Sequence, residues 1–182
     1  MVVRPLRRDD VEQWREVRER NADWLRPWDA TPPPQMPAAP VSYAALARRL
    51  RRQGRAGQTL PVVIGGAGAF AGQATVNNIV RGSAPVASVG YWLDQRVAGR
   101  GVAPLAVAMV IDHCLGEGLL HRIEVCVRPE NTNSLRVVEK LGIREVGFAP
   151  FFLHIDGAWR DHRVFAITVE ELGAGLVARL AP

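Results

Sequence analysis

Gly90-Tyr91-Trp92-Leu93-Asp94-Gln95-Arg96-Val97-Ala98-Gly99-Arg100-Gly101-Val102-Ala103 carries a strand into a turn with two glycines, and a helix follows at once. Glycines in such a turn let the backbone wrap closely around a ligand, while the unpaired N–H groups of the first helical turn point into it. With the helix dipole behind them, those donors suit an anion such as a pyrophosphate. Arg96 and Arg100 add positive charge, and Pro104 falls in the first turn, where a missing N–H does little harm. A plain tight connection is the competing reading of the glycines. A dinucleotide fold would require a parallel βαβ unit and an acidic residue about 20 positions on. A P-loop would require a Gly-Lys-Ser/Thr ending, which is absent.

Upstream, Thr59 to Ile64, Ala69 to Ile79 and Pro85 to Asp94 are rich in β-branched residues. They are separated by Gly65-Gly66-Ala67-Gly68 and Arg81-Gly82-Ser83, the pattern of an antiparallel meander. The Gly66 to Gly72 stretch reads as a hairpin turn, with no lysine strand or catalytic loop to make it a kinase glycine loop. Before the meander, Val2 to Pro5 predicts a short strand. Asp9 is placed to cap a helix to about Asn21, with Val11, Trp14 and Val17 on its apolar side. Prolines at 32, 33, 34, 37 and 40 exclude a helix from the next stretch, while Trp24 and Trp28 argue for a loop folded onto the body. Ser42 is placed to cap a second helix to about Gln53, ended by Gly54 and Gly57.

Downstream, Gly99 to Leu115 predicts a helix closed by Gly116-Glu117-Gly118. His121 to Arg128 predicts a strand, and Asn131 to Leu141 a helix ending at Gly142. Ile143 to Ile155 and Trp159 to Glu170 predict two strands joined at Asp156-Gly157, a hairpin signal, and Glu170 to Leu180 adds a short terminal helix. The sum is one α/β domain over residues 1–182 with a mixed sheet.

Composition narrows the function. The 182 residues are 48% hydrophobic with a net charge of +5 carried almost wholly by arginine, which suits a polyphosphate ligand as well as nucleic acid. No zinc-finger, RNA-recognition or helix-turn-helix signature is present, so direct nucleic-acid binding is the weaker reading. The longest apolar run, Val102 to Ile111, contains Pro104 and is too short to span a bilayer. Without a signal-peptide pattern at Met1 to Arg8, the expected compartment is the cytoplasm. Cys114 and Cys126 read as free thiols, and His113, His121, His154 and His162 lack metal spacing, so no metal is expected. His162, within Trp159-Arg160-Asp161-His162, reads as a residue that orders the hairpin.

Arg96-x-x-Gly99-x-Gly101, followed by a strand and Asn131-x-x-Ser134, resembles the coenzyme A signature of the GCN5-related N-acetyltransferases (GNAT). The resemblance is closer to their RimJ/RimL-like branch. Gly90 to Asp94, Arg128 to Ser134 leading into Val137 to Gly142, Leu25-Arg26-Pro27-Trp28 and Asp156 to His162 are all similar to that branch, in order and over nearly the whole chain. Ile143 stands where the family usually has phenylalanine. No tyrosine follows the asparagine helix, where many members of the superfamily place the acid for the departing thiolate. Tyr43 and Tyr91 are the only tyrosines.

The resemblance implies a mixed, mostly antiparallel central sheet with splayed central strands flanked by helices. It implies acetyl-CoA as cosubstrate, with pantetheine along backbone such as Trp92 and Leu93. The pyrophosphate would sit on the amides of Val97, Ala98, Gly99, Arg100, Gly101 and Val102 with the charge of Arg96 and Arg100 beside it, and Asn131 and Ser134 would face the thioester. Ser134 would take the role of the missing tyrosine in direct transfer within a ternary complex. Glu124, Cys126 and Arg128 share one strand face, so Glu124 is a candidate for the base that takes the amine proton. Water-mediated or solvent uptake is the alternative. Cys126 could serve as an acyl carrier, although nothing near it in sequence activates the thiol.

The acceptor implied is a protein N-terminus, ribosomal proteins among them. The alternatives are a small amine such as a polyamine or aminoglycoside, and a non-catalytic acyl-CoA sensor. The loops at 22–40 and 148–155 would set the choice. A pocket made acidic by Asp23 and Asp29 favours polycations, and an open groove favours a peptide. Trp24, Trp28, Phe151 and Phe152 line that groove or pack the core. The protein is expected to act as a monomer or homodimer, with no membrane partner.

Overall fold

The computed structural model describes residues 1–36, 42–66 and 68–180. Seven strands form one sheet: β1 (Val2–Pro5), β2 (Leu60–Gly66), β3 (Ala69–Val80), β4 (Val86–Leu93), β5 (Arg122–Val127), β6 (Arg144–Ile155) and β7 (Ala158–Thr168). Their spatial order is β1-β2-β3-β4-β5-β7-β6. Every neighbouring pair is antiparallel except β4 and β5, which are parallel. The meander of β2, β3 and β4 and the terminal hairpin are therefore as the sequence predicts. Asp156 (φ 47°) and Gly157 (φ 78°) both adopt the left-handed conformation that a two-residue hairpin turn demands.

The pairing of β4 with β5 is what shapes the site. It holds over Val86↔Arg122, Ala87↔Ile123 and Ser88↔Glu124 and goes no further. Beyond Ser88, β4 stays on β3 to Gly72↔Leu93, while β5 stays on β7 to Val127↔Arg163. The two strands thus part, and their facing backbone edges are left without a ladder over Val89–Leu93 and Val125–Val127. The splay turns the middle of the sheet into a window.

Alternation along the strands supplies two cores. One face buries Val62, Ile64, Val76, Val89, Ile123 and Val125 beneath α4 (Val102–Leu115) and α5 (Thr132–Lys140). The other buries Val63 and Phe70 beneath α1 (Val11–Arg20) and α3 (Tyr43–Arg55), which contribute Trp14, Val17 and Ala47. α4 is apolar nearly all round because it lies in the larger core; Ala106, Val107, Ala108 and Ile111 have no exposed surface. Ile143 is buried in that same core, so its place is filled by a smaller apolar side chain than phenylalanine.

Local boundaries differ from expectation for identifiable reasons. The first helix is preceded by a short 3₁₀ turn over Arg8–Asp10, and Asp10 rather than Asp9 ties it down, accepting from the Arg7 amide at 2.7 Å and from Arg4 at 2.6 and 2.8 Å. Ser42 does cap α3, its hydroxyl accepting from the Ala45 amide at 3.2 Å, and the helix runs to Arg55. The proline-rich loop contains a helical turn, α2 (Ala22–Leu25), because Leu25 is drawn into the interior. Residues 37–41 of that loop lie outside the described residues. α4 begins at Val102 and not at Gly99, since Gly99 and Gly101 both have φ 76° and cannot be helical. The chain ends in α6 (Val169–Leu172) and a 3₁₀ turn over Ala178–Leu180.

Candidate active site

A cavity of about 670 Å³ opens through the window between β4 and β5, and its walls come from both faces of the sheet. On the side of α4 and α5 it is lined by Gly99, Gly101, Val102, Asn131 and Ser134, with Arg136 and Lys140 of α5 supplying positive charge. On the side of α1 and α2 it is lined by Trp24, Trp28, Asp29, Cys126, Arg128 and His162. A long molecule could lie along the first side with one end at the window, while a second molecule approaches from the other.

The turn after β4 is built to offer amides. Asp94, almost fully buried, anchors it: one carboxylate oxygen accepts from Arg20 at 2.8 Å and from Arg96 at 3.0 Å, the other from the Arg96 amide and Asn21 at 3.2 Å. Burial alone would raise the Asp94 pKa, but these donors outweigh it and hold the carboxyl well below its usual range. The Gln95 amide is taken by Asn21, that of Val97 by Asp94 O and that of Ala98 by Gln95 O. From Gly99 to Ala103, by contrast, no amide makes a hydrogen bond of good geometry among the described residues. This run of unpaired donors at the start of a 14-residue helix fits the pyrophosphate of a nucleotide-bearing cosubstrate. The unpaired amides thus run from Gly99 to Ala103, where the resemblance implied Val97 to Val102. Arg96 and Val97 do not line the cavity; the Arg96 side chain is turned back onto Asp94, and Val97 packs against the core. Arg100 does not line the cavity either, whereas Trp92, Leu93 and Ala98 do.

Asn131 caps α5, its Oδ1 accepting from the Ser134 amide at 3.1 Å, which fixes Ser134 in the first turn at the end of the splay. The Tyr91 hydroxyl is buried nearby and makes no hydrogen bond of good geometry. Burial pushes this phenol up to about 12, an effect that the adjacent Ser134 hydroxyl opposes. A tyrosine is thus present beside Ser134 after all, contributed by β4 rather than by the chain after α5. Cys126 also lines the cavity; burial and the charge of Glu124 push its thiol up to about 11, which removes the thiolate an acyl carrier needs.

Glu124 shares a sheet face with Cys126 and Arg128, but it stands at the closed end of the splay, opposite Ser88. Its carboxylate accepts from Arg122 Nε at 2.9 Å, and it does not line the cavity. Glu124, the candidate base named from sequence, thus stands two residues along β5 from the cavity residue Cys126 and outside the cavity lining. The hairpin motif also divides differently. Asp161 orders the hairpin, accepting from the Phe151 amide at 2.8 Å in a bulge where Phe151 has φ 50°, while His162 lines the cavity. Strand register could have revealed this, since His162 lies just beyond Val127↔Arg163, level with the cavity residue Arg128.

The acceptor-side loop is pinned at three points. Arg128 donates to Pro27 O at 2.6 Å and lies over the Trp28 ring at 5.5 Å. Arg18 donates to both oxygens of Asp29, at 2.5 and 3.2 Å. Ala30 bridges to Ile155, and the Thr31 amide donates to His154 O at 2.8 Å. Asp29 is neutralised by this pairing, and Asp23, highly exposed, lies outside the cavity. Trp24 and Trp28 line it, whereas Phe151 and Phe152 are exposed on the hairpin.

With the geometry in place, comparison with known proteins decides the family. The profile of the acetyltransferase (GNAT) domain matches residues 1–144. The chain belongs to the GNAT family. Within it, this GNAT protein is similar to RimJ and RimL-type enzymes. It is 42% identical over 96 residues to the probable N-acetyltransferase YjcK of Bacillus subtilis, a match covering 53% of either chain. It is 34% identical over 104 residues to the ribosomal protein uS5-alanine N-acetyltransferase of Escherichia coli, covering 57% of this chain and 54% of that one. The matched stretch thus spans about half the length of these curated relatives. The solved structure of Mycobacterium smegmatis RimJ in complex with CoA-disulfide superposes with a TM-score of 0.89 at 37% identity, covering 98% of this chain and 86% of that one. A ribosomal-protein-S5-alanine acetyltransferase from Vibrio fischeri superposes with a TM-score of 0.81 at 27% identity, covering 93% of each. The splayed, mostly antiparallel sheet is accordingly the GNAT fold. Among the described residues no cluster of three metal-ligating side chains exists, and no helix is long and apolar enough to cross a membrane.

Proposed function

We propose that this GNAT protein transfers the acetyl group of acetyl-CoA directly to the α-amino group of a protein N-terminus. Acetyl-CoA supplies the acetyl group as an activated thioester. The amides of Gly99 to Ala103 hold its pyrophosphate, Arg136 and Lys140 add charge on that side, and the freed edges of β4 and β5 hydrogen-bond the pantetheine. Ser134, fixed by the Asn131 cap, assists the departing thiolate, with the Tyr91 hydroxyl beside it. The amine enters from the opposite mouth, between the Trp28 loop and the hairpin.

The observation that carries the acceptor assignment is the charge of that mouth. A polyamine or aminoglycoside site needs unpaired carboxylates, yet Asp29 is tied to Arg18 and Asp23 is outside, while Arg128 lines the wall. One free amine on an otherwise uncharged peptide end meets no such repulsion. The resemblance to uS5-alanine acetyltransferases points the same way. The test is thiol release from acetyl-CoA with N-terminal peptides, spermidine and an aminoglycoside. A higher kcat/KM for the peptides is expected. A preference for the polycations would overturn the acceptor, and tight CoA binding without turnover on any amine would support a sensor.

A further inference from the structure

Acetyl transfer needs a group to take the amine proton, and four side chains on the acceptor side could be considered. Glu124 is held by Arg122 below the cavity, Asp29 is held by Arg18, and the Cys126 thiol is pushed up to about 11 by burial. His162 differs from all three. It is almost fully buried, lines the cavity, and stands where β7 runs past the last pair with β5. Its Nδ1 lies 3.0 Å from Arg160 O. A carbonyl oxygen only accepts, so Nδ1 carries the hydrogen and Nε2 carries the lone pair of the neutral ring. No described residue hydrogen-bonds Nε2. The Phe152 ring, edge-to-face at 5.4 Å, holds the imidazole plane from β6.

We propose that Nε2 of His162 is the general base that takes the proton of the attacking amine. The proposal rests on the acetyl-transfer reading above. Ser134 and His162 lie on opposite sides of the sheet window, one under α5 and the other beside the Trp28 loop. That arrangement suits direct transfer, because the amine adds to a face of the planar thioester carbonyl and the base and the group that assists the sulfur then reach different substituents of the tetrahedral carbon. The neutral amine nitrogen forms a bond to the thioester carbonyl carbon, and the carbonyl π pair moves to oxygen. The surplus N–H proton passes to Nε2. The oxygen pair then reforms the carbonyl, the C–S bond breaks, and the sulfur leaves with its electron pair and takes a proton from the Ser134 hydroxyl, which solvent reprotonates. The imidazolium releases its proton to solvent.

The surroundings keep the ring ready as a base. Burial holds its pKa below the usual value, the Arg160 carbonyl raises it, and Arg128 just after β5 lowers it further. Asp161 on its own strand and Glu130 from the β5–α5 connection act in the opposite sense and steady the transient imidazolium. At neutral pH the ring is therefore uncharged.

The test compares wild type with His162→Gln at saturating acetyl-CoA, using the best amine acceptor found for the wild type. We expect kcat to fall about 100-fold or more, the usual contribution of a general base, with CoA affinity unchanged. The acid limb of the wild-type kcat profile, centred below pH ~6.5, should vanish in the variant, and added imidazole should restore part of the rate to His162→Ala. Ring nitrogen NMR of the wild type should show the hydrogen on Nδ1. A folded, CoA-binding His162→Gln that keeps the wild-type rate and pH profile would overturn the proposal. So would a uniform fall in rate with the acid limb intact, or a hydrogen on Nε2. The acceptor reading fails separately: if a polyamine outcompetes peptides, the same comparison is run on the polyamine.

Discussion

The Tyr91 hydroxyl is buried beside the Ser134 hydroxyl and makes no hydrogen bond of good geometry among the described residues. Leaving such a group unpaired costs about 1–3 kcal/mol, a cost that a bound ligand can offset. Tyr91→Phe should therefore leave the free protein equally stable or more stable by up to ~1 kcal/mol, while losing part of the extra melting temperature that CoA confers on wild type. Thermal melts with and without CoA measure both. Ser134→Ala addresses the neighbouring group: kcat should drop at least about 10-fold, with CoA affinity kept. An equal loss of affinity would make Ser134 a binding residue only. Sequence identified Ser134 and the asparagine that caps its helix, because both lie in one short motif. It did not place Tyr91 and His162 in the cavity lining because their placement depends on how far β4 and β7 run past β5, a property of register that no local pattern encodes.

At the scale of elements, the turn between β4 and α4 shows how a buried charge organises a ligand site. Asp94 joins α1, through Arg20 and Asn21, to the turn whose following amides stay unpaired. Its folded pKa is depressed, so its stabilising contribution is full above the unfolded value near 4 and is lost as pH falls through the lower folded value. Asp94→Asn should destabilise the protein by about 1–3 kcal/mol at pH 7, with the gap to wild type closing as acid protonates Asp94. Urea melts at pH 7 and pH 3 test the sign. CoA binding should weaken alongside, since the turn loses its anchor. The glycines of this turn were legible in the sequence and its strand and helix were too, but the helix start moved to Val102 and Arg96 folded back onto Asp94. The burial of Asp94 draws the Arg96 donors inward, and the positive φ of Gly99 and Gly101 delays the helix. Gly99→Glu tests the turn from the other side: a side chain at φ 76° strains the backbone, and its charge opposes a phosphate. CoA binding should be lost while the fold persists.

For the whole molecule, the sheet is a partition with a window. Meander, crossover helix and hairpin could be read from periodicity and turn residues, and the branch-specific motifs fell in the expected order along it. The departure of β5 from β4 came only through the family resemblance, since each strand by itself has ordinary β character. In the proposed reaction donor and acceptor approach from opposite faces, and the pins at Arg128, Arg18 and Thr31 fix the Trp28 loop relative to the hairpin. The most direct measurement of the account as a whole uses a peptide that begins with alanine and carries an internal lysine, incubated with acetyl-CoA and analysed by tandem mass spectrometry. The account predicts an acetyl group on the α-nitrogen, formed by wild type and strongly reduced with Ser134→Ala and His162→Gln. Acetylation confined to the lysine, or none at either nitrogen, would contradict it.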